Sequence, residues 1–115
     1  MIDKVNLKRA VDSAGGLFEY LRVGTLNGHM LNVLQARDRT LDFHIHENSD
    51  ELFYCIEGEF DLEFDDGKTH LTEGDFLIVP RGTRRRPVCT GLSKCLLMEL
   101  DGTLNRDNTG GAFHE

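Results

Sequence analysis

Phe43-His44-Ile45-His46-Glu47-Asn48-Ser49-Asp50-Glu51 is the stretch on which the reading of this chain turns. In an extended backbone, successive side chains point to opposite faces. His44 and His46 therefore project together, and Phe43 and Ile45 project the other way. Glu47-Asn48-Ser49-Asp50 is a run of residue types that hydrogen-bond locally and favour turns. A second strand opening at Glu51 then brings a carboxylate back towards the two imidazoles. Two imidazoles and one carboxylate form a donor set suited to Zn, Fe, Mn, Ni or Cu. A His-x-His pair alone fits a plain polar strand face equally well, so the rest of the chain has to decide.

Outward from this stretch the sequence reads as short strands separated by turns. Residues 17–26 are rich in apolar side chains and lead into Asn27-Gly28, a two-residue hairpin signal, with a return strand over 30–36. Phe60-Asp61-Leu62-Glu63-Phe64 alternates apolar and acidic residues, the pattern of a strand with one buried and one wet face. Asp66-Gly67 predicts another tight hairpin, with 69–72 returning. Gly74-Asp75 opens a strand over Phe76-Leu77-Ile78-Val79, and residues 84–90 and 94–100 are read as a last hairpin. Val5, Leu7 and Val11 fit one helical turn or an edge strand, before Gly15-Gly16 breaks the chain. The fold class expected is all-β, a small antiparallel β-barrel with no long helix.

Composition narrows the function. The chain has 115 residues and 39% apolar content, which suits one small domain. A net charge of −7 argues against nucleic-acid binding, which needs a positive footprint. No apolar stretch has the length of a membrane span. Cys55, Cys89 and Cys95 cannot all pair within one chain. With no signal-peptide core at the N-terminus, reduced thiols and a cytoplasmic location are expected.

The spacing His44-x-His46-x4-Glu51-x6-Gly58, followed by Gly74-x5-Pro80-x-Gly82, resembles the two motifs of the cupin superfamily. Asp50-Glu51-Leu52-Phe53-Tyr54 and Arg86-Pro87-Val88 resemble the small single-domain cupins grouped as mannose-6-phosphate-isomerase-like. The resemblance covers roughly residues 27–105 and rests on about seven positions that agree in order and spacing. It implies a double-stranded β-helix of jelly-roll type, a homodimer, and a divalent transition metal (Zn, Fe, Mn or Ni) held by His44, His46 and Glu51. On this division residues 1–26 add edge strands, 27–105 form the barrel, and 106–115 are an irregular tail.

The chain departs from the family pattern at two positions. Asp38 stands where the first motif opens with glycine. Arg85 stands where the second motif carries a histidine, the fourth metal ligand. Arginine stays protonated and offers no lone pair. If Arg85 turns inward, Glu51 is its expected partner, because an unpaired buried cation is very costly. If it extends to the barrel mouth, His44, His46 and Glu51 stay free for a metal. Phe53, Cys55 and Met98, with Arg85, are the expected ligand-binding residues, and Phe43, Phe60 and Phe76 join the lining depending on register. His29, His70 and His114 read as surface or rim residues.

Two functional readings stay open. One is a small-molecule-binding cupin with a three-ligand metal site, isomerase- or dioxygenase-like on a small polar or acidic compound. The other is a metal-free, non-catalytic module for binding or sensing anions or small ligands, in which Arg85 pairs with Glu51. No residue is assigned a catalytic role.

Overall fold

The computed structural model describes residues 2–102. One short helix, α1 (Leu7–Asp12), precedes ten strands. These are β1 (Leu21–Leu26), β2 (His29–Ala36), β3 (Arg39–Thr40), β4 (His44–Ile45), β5 (Glu51–Glu57), β6 (Glu59–Phe64), β7 (Gly67–Thr72), β8 (Phe76–Val79), β9 (Arg84–Cys89) and β10 (Ser93–Leu100). They form two antiparallel sheets. One runs β1-β2-β10-β5-β8, and the other runs β3-β9-β6-β7 with β4 paired beside β9. The two ladders stay separate, so the expected barrel is a two-sheet jelly roll in its hydrogen bonding.

The core lies between the sheets. Period-two alternation puts Ser93, Cys95, Leu97 and Glu99 of β10 inside and leaves Lys94, Leu96, Met98 and Leu100 half-buried on the outer face. Phe53, Cys55, Phe60, Leu62, Leu71 and Val79 complete that core. The N-terminal ambiguity resolves as a helix. Asn6 caps it by accepting a hydrogen bond from Arg9 N, and Val11 packs on Val33 and Ile56 of the outer face. No helix among the described residues is long and apolar enough to cross a membrane.

The Asn27-Gly28 turn forms as read, with φ of +50° and +78°. Two other turn readings need correction. The β6–β7 turn is Asp65-Asp66, because Gly67 already pairs with Phe64. Strands β9 and β10 lie in different sheets, so the segment between them crosses the sandwich rather than making a hairpin. Cys95 faces Cys55 across the β10–β5 ladder, and all three thiols are free and buried. Gly58 marks a close approach of two such crossings. A Cβ there would collide with Leu92 O. The tail 106–115 and His114 lie outside the described residues.

Candidate functional site

Each side chain of the site is placed by strand alternation. Strand β4 pairs with β9 so that His44 lies opposite Arg85, with both side chains inward. His46 follows two residues later on the same side. Glu51 opens β5 on the face that also carries Phe53 and Cys55. Glu99 sits on β10, one residue beyond the pair Met98–Leu52 and hence beside Glu51. Four ionisable groups are almost fully enclosed: exposure is 2% for His46, 2% for Glu51, 0% for Arg85 and 1% for Glu99.

Their contacts form a compact network. The His46 ring makes a 2.6 Å hydrogen bond from Nδ1 to Glu99 Oε2 and stands 3.9 Å from Glu51 Oε1. Arg85 donates from Nη2 to Glu51 Oε1 at 2.8 Å and from Nη1 to Thr83 O at 3.0 Å. The ligand atoms of His46, Glu51 and Glu99 all lie within 4.8 Å of one another. His44 borders this group, with its ring centroid 5.2 Å from that of His46. Nδ1 of His44 lies 2.8 Å from Asp42 O, and a carbonyl can only accept. That contact puts the proton on Nδ1 and leaves the Nε2 lone pair available.

Electrostatics follow from burial. Burial pushes the Glu51 carboxyl up to about 7, with Glu99 adding to the rise and His46 and Arg85 opposing it. Burial likewise pushes Glu99 up to about 7, against its bond with Glu51 and the charge of Arg85. Burial holds His44 down at about 4, which keeps it a neutral imidazole at physiological pH. With both carboxylates ionised, Arg85 cancels only one of them. The cluster then has one negative charge in excess and calls for a proton or a cation.

An apolar cavity opens beside these groups. Its volume is about 60 Å³, several times the ~10–15 Å³ one water needs. Phe18, Tyr20, Leu34, Phe53, Phe60 and Leu97 supply its apolar walls, and His44, His46 and Glu51 supply polar groups.

The family model of the cupin domain (Cupin_2) matches residues 31–101, more than half of the chain. The chain belongs to the cupin family. Among curated proteins, this cupin is 46% identical over 46 residues to the uncharacterized protein YdbB of Bacillus subtilis (strain 168), covering 39% of this chain and 41% of YdbB. It is 46% identical over 46 residues to the quercetin 2,3-dioxygenase of the same organism, covering 40% of this chain and 13% of that enzyme. The chain thus spans less than half the length of either relative. Among solved structures, a cupin-2 domain protein from Shewanella frigidimarina NCIMB 400 matches with a TM-score of 0.79 at 19% identity, over 84% of this chain and 93% of that one. Protein NMB1881 from Neisseria meningitidis matches at 0.76 and 22% identity, over 86% and 100%. These structural matches are likenesses of fold.

The fold brings together three of the residues singled out in the sequence of this cupin, His44, His46 and Glu51, and seats Arg85 against Glu51. Arg85 faces the carboxylate and Thr83 rather than the cavity. Phe53 and Phe60 line the cavity. Cys55 lies in the core outside the lining, where its thiol donates to Gly58 O. Met98 is on the outer face of β10, one residue out of phase with Glu99. Phe43 stacks with the guanidiniums of Arg84 and Arg86, at 4.1 and 4.3 Å from its centroid, and Phe76 is exposed. Glu99 is the group the sequence reading passed over. Its signal was there: an acidic residue in phase with Cys95 and Leu97, within an otherwise apolar strand.

Proposed function

We propose that this cupin binds a small molecule in the cavity beside His44, His46 and Glu51, and that a divalent transition metal joins it there. The observation that carries the reading is the convergence of His46, Glu51 and Glu99, with ligand atoms within 4.8 Å, beside an apolar chamber. One imidazole and two carboxylates suit Zn, Fe or Mn, and the excess negative charge of the two ionised carboxylates favours a cation despite Arg85. His46 and the two glutamates would hold the ion, with His44 at its border. Bound there, the metal would supply Lewis acidity or a site for dioxygen, which is the chemistry of an isomerase or a dioxygenase. The protein's own part is to orient His46 through Glu99, to hold Glu51 through Arg85, and to exclude water with the aromatic walls. The curated match to a quercetin dioxygenase supports the oxygenase side of this reading, and the Arg86-Pro87-Val88 wording supports the mannose-6-phosphate-isomerase-like grouping. The reading includes a cytoplasmic homodimer.

A second reading draws on the 2.8 Å Arg85–Glu51 contact. There the guanidinium serves as the resident cation, and the cavity binds its ligand without metal. Elemental analysis of protein purified without added metal, followed by calorimetric titration with Zn and Mn after chelation, separates the two. Stoichiometric metal with saturable uptake supports the first reading. No metal and no uptake support the second.

A further inference from the structure

The backbone of Phe18 has φ of +63°, in the left-handed region where a bulky aromatic residue is rare. Its surroundings impose this. Phe18 N donates to Gln35 O at 2.7 Å, Leu17 bridges Gln35, and Gln35 Nε2 donates in turn to Val11 O at 2.8 Å. The Arg39 guanidinium lies 4.5 Å from the centroid of the Phe18 ring. The result is that Phe18, together with Tyr20, forms part of the cavity wall.

This part of the wall is built differently from the rest. Most other lining residues belong to strands hydrogen-bonded along their length. Residues 15–20 begin with Gly15 and Gly16, make a single bridge to β2, and enter a regular ladder only at Leu21. A segment with few backbone hydrogen bonds and a strained residue opens more easily than a ladder. The chamber must widen to take a ring, because its 60 Å³ is well below the ~150 Å³ of an apolar cavity that takes up benzene.

We propose that residues 15–20 are the gate of this cavity, that the Arg39–Phe18 stack is its latch, and that Phe18 sets the size of the molecule admitted. The ligand class follows: a compact, mainly apolar compound of about one ring, with a single polar end reaching His44, His46 and Glu51. The inference rests on the cavity being the binding chamber. Its test uses no ligand and no metal, so the gate and the proposed function can fail separately.

Three native thiols report on opening. Cys89 and Cys95 line the cavity, whereas Cys55 is fully buried outside the lining. The full chain is treated with methyl methanethiosulfonate, and labelling at each cysteine is followed by mass spectrometry in the parent, Arg39→Ala and Phe18→Ala. We expect Cys89 and Cys95 to react at least tenfold faster in both variants, with Cys55 unchanged. Arg39→Ala leaves the backbone strain in place, so it reports even if Phe18→Ala folds poorly. Unchanged cavity thiols in Arg39→Ala would overturn the proposal. So would a parallel rise at all three cysteines, which would mean general loosening rather than a gate.

Discussion

Replacing Arg85 by histidine pulls metal affinity and stability in opposite directions. Arg85 is fully buried and donates to Glu51 at 2.8 Å and to Thr83 O at 3.0 Å. A cation held by Glu51 would sit on the order of 5 Å from the guanidinium, where each pair of unit charges repels by about 3 kcal/mol at an effective dielectric of ~20. Histidine removes that charge and offers a lone pair. Part of the gain is offset by imperfect repacking around the smaller ring. The expected net result is at least about tenfold tighter binding of Zn or Mn, ~1.4 kcal/mol. The metal-free variant loses the partner of a buried carboxylate, a change that typically destabilises by roughly 3–5 kcal/mol. Calorimetric titration measures the first effect, and denaturant unfolding in chelator measures the second. Equal metal affinities in parent and variant would refute the reasoning, because Arg85 would then not oppose the cation.

Three further outcomes are expected. His46→Ala should abolish measurable metal uptake, whereas His44→Ala, outside the tightest cluster, should weaken it about 10–100-fold, as for groups that support a ligand; equal losses in the two would restore His44 to the ligand set. Asp75 accepts from Thr72 N and Oγ1, and these bonds hold its carboxyl below the ordinary 3.8. A depressed pKa contributes stability that is present above 3.8 and lost as pH falls through the folded value. The parent should therefore unfold at higher temperature than Asp75→Asn at pH 6, and the gap should close towards pH 2; a constant gap would contradict this. On the outer face, Ile78, Leu52, Met98 and Leu31 are successive cross-strand partners, and Ile78 and Phe76 are exposed at the sheet edge. We expect sedimentation to show a dimer at micromolar concentration and Ile78→Lys to shift it to monomer. A parent that sediments as a monomer ends that expectation.

What the sequence made legible was whatever depends on period two and on turn chemistry. His44, His46 and Glu51 converge because alternation and one polar turn suffice to bring them together. The fold class follows from the same alternation, and Asn27-Gly28 from its tolerance of positive φ. Pairing between distant strands was not legible. Residues 84–90 and 94–100 look like a hairpin because they are adjacent and separated by a short Gly91-Leu92-Ser93 link, yet they close different sheets. Glu99 was missed for the same reason. Nothing local says that the end of β10 lies beside the start of β5, and only that register turns an isolated glutamate into a partner of His46. Met98 was misplaced with it, since the two differ by one residue of phase.

A second carboxylate, Glu99, beside the Arg85–Glu51 pair bears on how far the arginine changes this site. One buried guanidinium against Glu51 alone would make a neutral pair with no electrostatic reason to accept a divalent ion. Glu99 alters that balance. It sits 2.6 Å from His46 and, when ionised, adds a further negative charge in a place that water barely reaches. With both carboxylates ionised, the group contains two negative charges, one guanidinium and a neutral His44, so a unit of negative charge remains to be met. A cation meets it, and so does a proton on the network. The arginine therefore lowers affinity without reversing the sign of the site. Metal binding here should release protons as the carboxylates give up their share, and the affinity should rise with pH across the neutral range.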